Sequence, residues 1–469
     1  MRVPQRTIGG EMNIAPMALN PNAASVAWMA YAGRETLEKT QAQRRDQLLE
    51  RAIQGSRFYQ NHLDRLLQQG AAFTDLPPVT KPELMANFSN WVTDPAITLD
   101  SVLAHVGDVE KIAQPYLDRY LVWESSGSSG IPGIFIQDAT SMQVYDALEG
   151  LRITPTESFQ RLCNPLWIGQ RIAFVGAING HFASNVTFER LRCNLPFLQQ
   201  SMRSFSILQP LGALVAELQD FSPTIIATYP STALQLACLA ERNDLDIQPI
   251  EIWTGGERLS DAARQKIKQV FHCRVRASYG ASEFLPIARE CEAGRMHVNA
   301  DWVLLEPVDR QYRPVAEGEL SDTVLLTNLV NTVQPLIRYD LQDSVRMSYR
   351  KCDCGSHLPT IEVVGRRDDL LKLQDHQGKT LLLSPMAITT VLEEEAGVFD
   401  FQLIHKSGQR FSLYLGCGED HSSGAMARCR SVLLAYFGAQ GVTGVELDIK
   451  PLSVHCIERS GKTKRVVCV

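Results

Sequence analysis

No run of this 469-residue chain approaches the roughly 20 consecutive apolar residues of a membrane-spanning helix, so no membrane partner is expected. The opening MRVPQRTIGGEMN has charge but no apolar centre and does not read as a secretory leader. Strong charge of one sign is also missing. With 46 Lys and Arg against 52 Asp and Glu, the formal net charge is -6, which leaves no electrostatic footprint for nucleic acid or an anionic membrane surface. A disulfide framework lacks support, because eleven cysteines are an odd number spread over a long chain; reduced thiols in a cytoplasmic setting are the expectation. There is no internal repeat at solenoid or propeller periods. What remains, at 45% hydrophobic residues, is a chain able to build large cores in more than one domain.

Residues 33–70 combine helical periodicity with many charges and predict outer helices. From residue 171 onward strands and helices alternate. RIAFVGAI (171–178), TIIATY (224–229), IEIWTGG (250–256) and RVRASYG (274–280) read as strands; GALVAELQDF (212–221), the stretch from Ser231, and SDAARQKIKQVF, with Ser260 as N-cap, read as helices. Such alternation implies a parallel sheet covered by helices, with ligands beyond the carboxyl ends of its strands. Those ends are YPST (229–232), TGGE (254–257) and YGASE (279–283). After about residue 300, DWVLLEPVD, GELSDTVLLTNL and PLIRYDLQDSVRM suggest an antiparallel β subdomain. The expected fold class is α/β: a large N-terminal domain (1–367) of mixed and parallel sheets flanked by helices with that antiparallel subdomain, then a small mobile α+β domain (368–469).

Between the apolar segments YLV and IFI runs ESSGSSGIPG (124–133). A solvated hairpin is one reading of it. The other is an anion cradle: Gly127 and Gly130 leave backbone N–H groups unobstructed, and Ser125, Ser126, Ser128 and Ser129 add hydroxyls that can wrap a polyphosphate. The loop lacks the Gly-Lys-Ser/Thr ending of a Walker motif, so any phosphate it holds is held by a hairpin between strands.

SSGSSGIP, TGGE, YGASE, PLIRYDLQD, GRRDD and SGKTKRV occur in the order and approximate spacing of the adenylate-forming superfamily, which the chain resembles from about residue 50 to its end. ECEAGRMHVNAD, CDCGSHLP, SRFYQNHL and LPPVTKPEL resemble its phenylacetate-CoA ligase branch and the capsule-biosynthesis relatives. The resemblance implies an AMP-forming ligase. A carboxylic acid is joined to the α-phosphate of ATP with loss of pyrophosphate, and the acyl-adenylate passes to a thiol, coenzyme A first. Rival readings are transfer to an amine, a hydroxyl or a carrier-protein thiol, or a nucleotide-binding scaffold without catalysis. A homodimer is compatible with any of these.

Carried onto this chain, the resemblance assigns the β- and γ-phosphates to Ser125, Ser126, Gly127, Ser128, Ser129 and Gly130, although Ile131 stands where the family usually has Lys. Asp343 would bind both ribose hydroxyls. Gly255, Gly256 and Glu257 would form part of the purine pocket with Tyr279 against the adenine, and Gly280 and Ser282 complete the nucleotide set. Glu283 would hold Mg²⁺, as a hard oxygen ligand should. Arg366 would lie near the nucleotide, and Asp368 at a hinge. Lys462 would neutralise charge between carboxylate and α-phosphate, with Lys464 its rival and a solvated basic end including Arg465 the plainer alternative. Arg338 would be either a ligand contact or a structural partner of Asp340 or Asp343. His181 and Tyr229 would line the acyl pocket, His181 being equally readable as a structural histidine.

Cys291 and His297, with Cys352 and Cys354, supply three sulfurs and an imidazole, the donor set of a closed tetrahedral zinc site. The spacings match no common zinc finger, and buried free thiols are the competing reading. Members of the resembled branch carry zinc at the matching positions.

Overall fold

The structure, a computed structural model, describes residues 20, 22–125, 132–151, 169–195, 198–366, 371–374, 380–383, 385–416, 423–451 and 465–468. Ser126, Gly127, Ser128, Ser129, Gly130, Ile131, Asp368, Lys462 and Lys464 lie outside the described residues.

The charged early segment forms helices Arg34–Gly55 and Arg57–Gln68. Ser56 breaks them: its backbone is extended, and its hydroxyl accepts from Tyr59 N at 3.3 Å, capping the second helix. Phe58, Tyr59 and Leu63 then face the core, and Ile337 N–H donates to the Tyr59 hydroxyl at 3.2 Å, which ties this helix to the PLIRYD segment.

Strands β1 (Leu121–Glu124) and β2 (Ile134–Gln137) are buried throughout and pair antiparallel from Leu121 opposite Gln137 to Glu124 opposite Ile134. β1 and β2 are therefore the two arms of a hairpin. Both feet of the loop are clasped, as Ser125 N–H donates to Gly133 O at 2.8 Å and Gly133 N–H donates to Ser125 Oγ at 2.8 Å.

The central sheet has nine strands, built from β3 (Ile172–Gly176), β4 (Met202–Ser206), β5 (Ile225–Thr228), β6 (Glu251–Thr254), β7 (Arg274–Ala281), β8 (Phe284–Glu290) and β9 (Met296–Val298), with two more from later in the chain. In the half ordered β7-β6-β5-β3-β4 all pairs are parallel. Helices Ala183–Asn194, Leu211–Phe221, Pro230–Glu241 and Asp261–Phe271 alternate with these strands. Strands covered on both faces read as near-continuous apolar runs, and IAFVG is buried at every position. Ser260 caps its helix as expected, its hydroxyl accepting from Ala263 N at 3.1 Å.

After residue 300 the chain divides its strands between two sheets. β10 (Val303–Val308), β11 (Thr323–Asn328) and β12 (Tyr339–Asp340) make a three-stranded antiparallel sheet, while β13 (Asp343–Ser348) and β14 (Thr360–Arg366) extend the central sheet in the order β13-β14-β9-β8-β7. PLIRYDLQDSVRM thus does not stay in one antiparallel subdomain: it crosses between sheets at Leu341–Gln342, where Gln342 has a positive φ of 63°. Beyond residue 370, residues from Leu371 to Val466 pack a core of their own around Phe401, Phe411 and Phe437. They include a four-stranded sheet, from Phe401–Ser407, Arg410–Leu415, Glu446–Pro451 and Val466–Cys468, and the helix Ser423–Ala439.

Candidate active site

β5, β6 and β7 run in register, Thr228 beside Thr254 and Thr254 beside Ala277, so YPST, TGGE and YGASE emerge at one edge of the sheet. A cleft of about 1430 Å³ opens beside them, and its walls include Ser125, Gly256, Glu257, Tyr279, Gly280, Ser282, Glu283, Asp343 and Arg366. Trp123 of β1 donates its indole N–H to Ser282 O at 2.8 Å, which fixes the hairpin against YGASE. Two glycines are dictated by geometry. Gly256 has φ 78°, and a Cβ on Gly280 would lie 2.0 Å from the Leu285 carbonyl oxygen, in the tight turn from β7 to β8.

RYDLQD contains two aspartates, and hydrogen bonding separates their roles. Asp340 is buried and accepts from Thr323 Oγ1 at 2.5 Å, Tyr312 OH at 3.0 Å and Gln342 N at 3.0 Å, so it shapes the turn. Asp343, at the start of β13, faces the cleft and accepts from Tyr279 OH at 2.5 Å. Burial, then the Asp343 charge, raises the Tyr279 phenol well above its ordinary value and keeps it a donor. Arg366 is the cross-strand partner of Asp343, and its guanidinium reaches Gln342 Oε1 at 3.4 Å.

Glu283 is almost fully buried and accepts from Tyr339 OH at 2.7 Å. Tyr339 is also pushed well above the ordinary phenol range, first by burial and then by the Glu283 charge. Two tyrosines therefore hold two carboxylates at the cleft. Glu257 accepts from Ser231 N at 3.0 Å, at the start of helix Pro230–Glu241, where a negative charge is favourable.

Gly255, His181 and Tyr229 are not among the described residues lining the cleft. His181 is buried, with Nε2 3.0 Å from Asp108 O and its ring 5.5 Å from that of His105. Burial, with His181 as the next cause, lowers His105 to about 4. Tyr229 N-caps its helix by backbone geometry alone, and burial raises its phenol to about 12. Arg338 is a structural residue, but its partner is neither Asp340 nor Asp343: its Nε donates to Glu306 Oε2 at 3.2 Å and its Nη1 to Leu76 O. The physical reason is that Asp340 already accepts from Thr323, Tyr312 and Gln342. Arg465 is no solvated end, since it donates to Glu393 and to Phe399 O at 2.6 Å and stacks 4.2 Å from the Phe401 ring centroid. Glu393 also accepts from Ser260, so the segment beyond residue 370 touches the cap of helix Asp261–Phe271.

Sequence reasoning gave no role to Lys81 or Arg258, yet both line the cleft. The lysine inside LPPVTKPEL is the sequence signal for the first of them.

Cys291, His297, Cys352 and Cys354, none of which lines the cleft, converge with ligand atoms all within 4.8 Å of one another. Cys291 Sγ is 3.9 Å from Cys352 Sγ, and Cys354 Sγ is 3.3 Å from His297 Nε2. His297 Nδ1 lies 2.9 Å from Leu358 O, a geometry that uses Nδ1–H as donor and leaves Nε2 for a metal. Burial and the neighbouring thiols push the Cys354 thiol up to about 12 when no cation is considered; a divalent ion reverses that balance. The donor set of three thiols and an imidazole fits tetrahedral zinc.

No family model matches the chain. Its sequence is similar to protein CapK of Staphylococcus aureus, 23% identical over 214 residues, 44% of each chain. It is also similar to phenylacetate-coenzyme A ligase of Pseudomonas putida, 26% identical over 213 residues, 42% of this chain and 44% of that protein. The match thus spans less than half the length of either curated relative. Among solved structures, 2-hydroxyisobutyryl-CoA ligase in the postadenylation state with 2-HIB-AMP superposes with a TM-score of 0.70 at 18% identity, covering 98% of this chain and 97% of that one. The chain shares the fold of this CoA ligase. Its sequence relatives, CapK and a phenylacetate-coenzyme A ligase, are those that the motifs resemble.

Proposed function

We propose that the protein is an AMP-forming acid–thiol ligase. A carboxylate oxygen of the substrate attacks the α-phosphorus of ATP, the bond to the bridging oxygen breaks, and pyrophosphate leaves. The thiolate of coenzyme A then attacks the acyl carbon and expels AMP. The observation that carries this reading is the pairing of Asp343 and Glu283 in one cleft, each braced by a tyrosine hydroxyl.

In this reading Asp343 accepts from the ribose hydroxyls, and Gly255, Gly256 and Glu257 bound the purine with the Tyr279 ring. Glu283 supplies an oxygen ligand for Mg²⁺, whose contribution when bound is to offset phosphate charge. Arg366 lies beside the nucleotide, and Lys462 brings positive charge to the reacting carboxylate and α-phosphate. His181 and Tyr229 belong to the acyl pocket, Asp368 is the hinge of the domain 368–469, and the four-residue Cys/His cluster is a structural zinc site. The protein works in the cytoplasm. The test is product stoichiometry: with a cognate acid and coenzyme A, one AMP and one pyrophosphate should form per thioester. AMP formation independent of any acid would contradict it.

A further inference from the structure

Glu393 is a buried carboxylate at the seam between the core beyond residue 370 and the helices that alternate with the parallel strands. It stands in the helical turn Val391–Glu395, and its side chain is fully out of solvent. A charge so placed is costly unless its oxygens are paired. Oε1 accepts from Arg465, which belongs to the same core and is held in turn by Phe399 O at 2.6 Å and by the Phe401 ring. Oε2 accepts from the Ser260 hydroxyl on the other side of the seam. One carboxylate is therefore shared by two parts of the chain.

The serine is committed to this bond. As N-cap of helix Asp261–Phe271 its hydroxyl already accepts from Ala263 N at 3.1 Å, and its one proton goes to Glu393. The carboxylate thus docks at the positive end of an 11-residue helix, where negative charge is favourable, and Arg258 adds a second attraction. An apolar contact runs beside it: Phe399 packs against the cluster that contains Ile267 and Phe271, and the Lys266 ammonium lies 5.2 Å from its ring centroid.

What Glu393 holds borders the cleft, because Arg465, Val466 and Ser260 all line it. Lys462 stands three residues before Arg465 in the sequence. The dock is also reversible. If the seam parts, Arg465 moves with Glu393 and keeps its charge paired, so only the serine hydroxyl is exchanged for water.

Resting on the ligase reading, we propose that Glu393 is a positioning residue for adenylation: docked on the Ser260 cap, it holds Arg465 as part of the cleft wall for the first half-reaction, and the Ser260–Glu393 bond opens for the second.

The test compares Ser260→Asp with Ser260→Asn on the full chain. Both are of one size and both cap helices well, but only the amide can donate to Glu393, whereas the carboxylate repels it. The acid used is the one, from a panel of aryl, fatty and hydroxy acids, that gives the fastest pyrophosphate exchange in the wild type. Ser260→Asp should lower the exchange rate constant by about tenfold or more while KM for ATP stays within about threefold. Transfer from the pre-formed acyl-adenylate of that acid to coenzyme A should stay within about twofold of wild type. Ser260→Asn should keep exchange closer to wild type. Adding Glu393→Gln to Ser260→Asp should recover part of the exchange, because it removes the repulsion across the seam. Equal exchange in Ser260→Asp and Ser260→Asn would overturn the proposal, as would parallel loss of both half-reactions or no recovery by Glu393→Gln. A wild-type chain that binds ATP yet exchanges with no acid in the panel overturns the ligase reading as well; normal wild-type exchange with variants indistinguishable from it overturns only the role of Glu393.

Discussion

Tyr279 OH lies 2.5 Å from Asp343 Oδ2, although β8, β9 and β14 stand between their strands in the sheet order. Four steps across a flat sheet would separate the strands by about 19 Å. The antiparallel half is therefore curled, and the tyrosine hydroxyl closes the curl. This bond places a carboxylate from one rim of the sheet over the carboxyl ends of the parallel strands, where the cleft lies.

Removing that hydroxyl alone should loosen the nucleotide site while leaving the ring. Tyr279→Phe is expected to lose roughly 1–2 kcal/mol of ATP binding, seen as about a 5- to 30-fold rise in KM for ATP, because Asp343 is no longer oriented. Steady-state kinetics at saturating acid checks it. An unchanged KM would show that the β13 backbone alone fixes Asp343.

Much of this arrangement was legible in the sequence because it is local. The strand–helix alternation, the Ser260 cap and the hairpin around the Ser/Gly loop each follow from neighbouring residues. Pairings over distance were not legible. Nothing in RYDLQD distinguishes Asp340 from Asp343 until Thr323 and Tyr312 are brought against the former. Arg338 finds Glu306, 32 residues away on another strand, and Lys81 reaches the cleft from a segment remote in sequence from Glu283. The Cys/His cluster was found through motif resemblance, since its spacings alone match no common zinc pattern.

Zinc makes a second prediction. Protein purified without added metal should contain about one zinc per chain, the stoichiometry of a four-ligand site. Cys352→Ser should lower the melting temperature more than it alters the rate of adenylation, because none of the four side chains lines the cleft. Metal-free protein of unchanged stability would leave these four as ordinary side chains.

His105 predicts a pH dependence. Its folded-state value of about 4 lies below the ordinary 6.5, so between those limits the unfolded chain binds more protons than the folded one. Stability should therefore fall as pH drops from about 6.5 toward 4. Denaturant titrations across that window should show a shallower slope in His105→Gln than in the wild type. Identical slopes would remove His105 as the cause.

Lys462 carries a catalytic prediction. Lys462→Ala should slow adenylation by about 10² to 10³ while ATP still binds, because the proposed role puts its charge at the reacting groups. Near-normal adenylation would move the role to Lys464.

Proline at the proposed hinge tests domain motion. Asp368→Pro fixes φ near about -65° and restricts the preceding residue, so one of the two half-reactions should survive and the other fall by orders of magnitude. Adenylation is followed by pyrophosphate exchange, and transfer with pre-formed acyl-adenylate. Loss of neither would exclude rotation about this point.

The central claim is that the cleft joins an acid to AMP, and exchange of labelled pyrophosphate into ATP measures that step before any acceptor is needed. Across a panel of aryl, fatty and hydroxy acids, at least one acid should elicit exchange in the wild type, and Asp343→Ala and Glu283→Ala should abolish it without unfolding the chain. Exchange with no acid in the panel, from a chain that still binds ATP, would contradict the account and favour a nucleotide-binding scaffold.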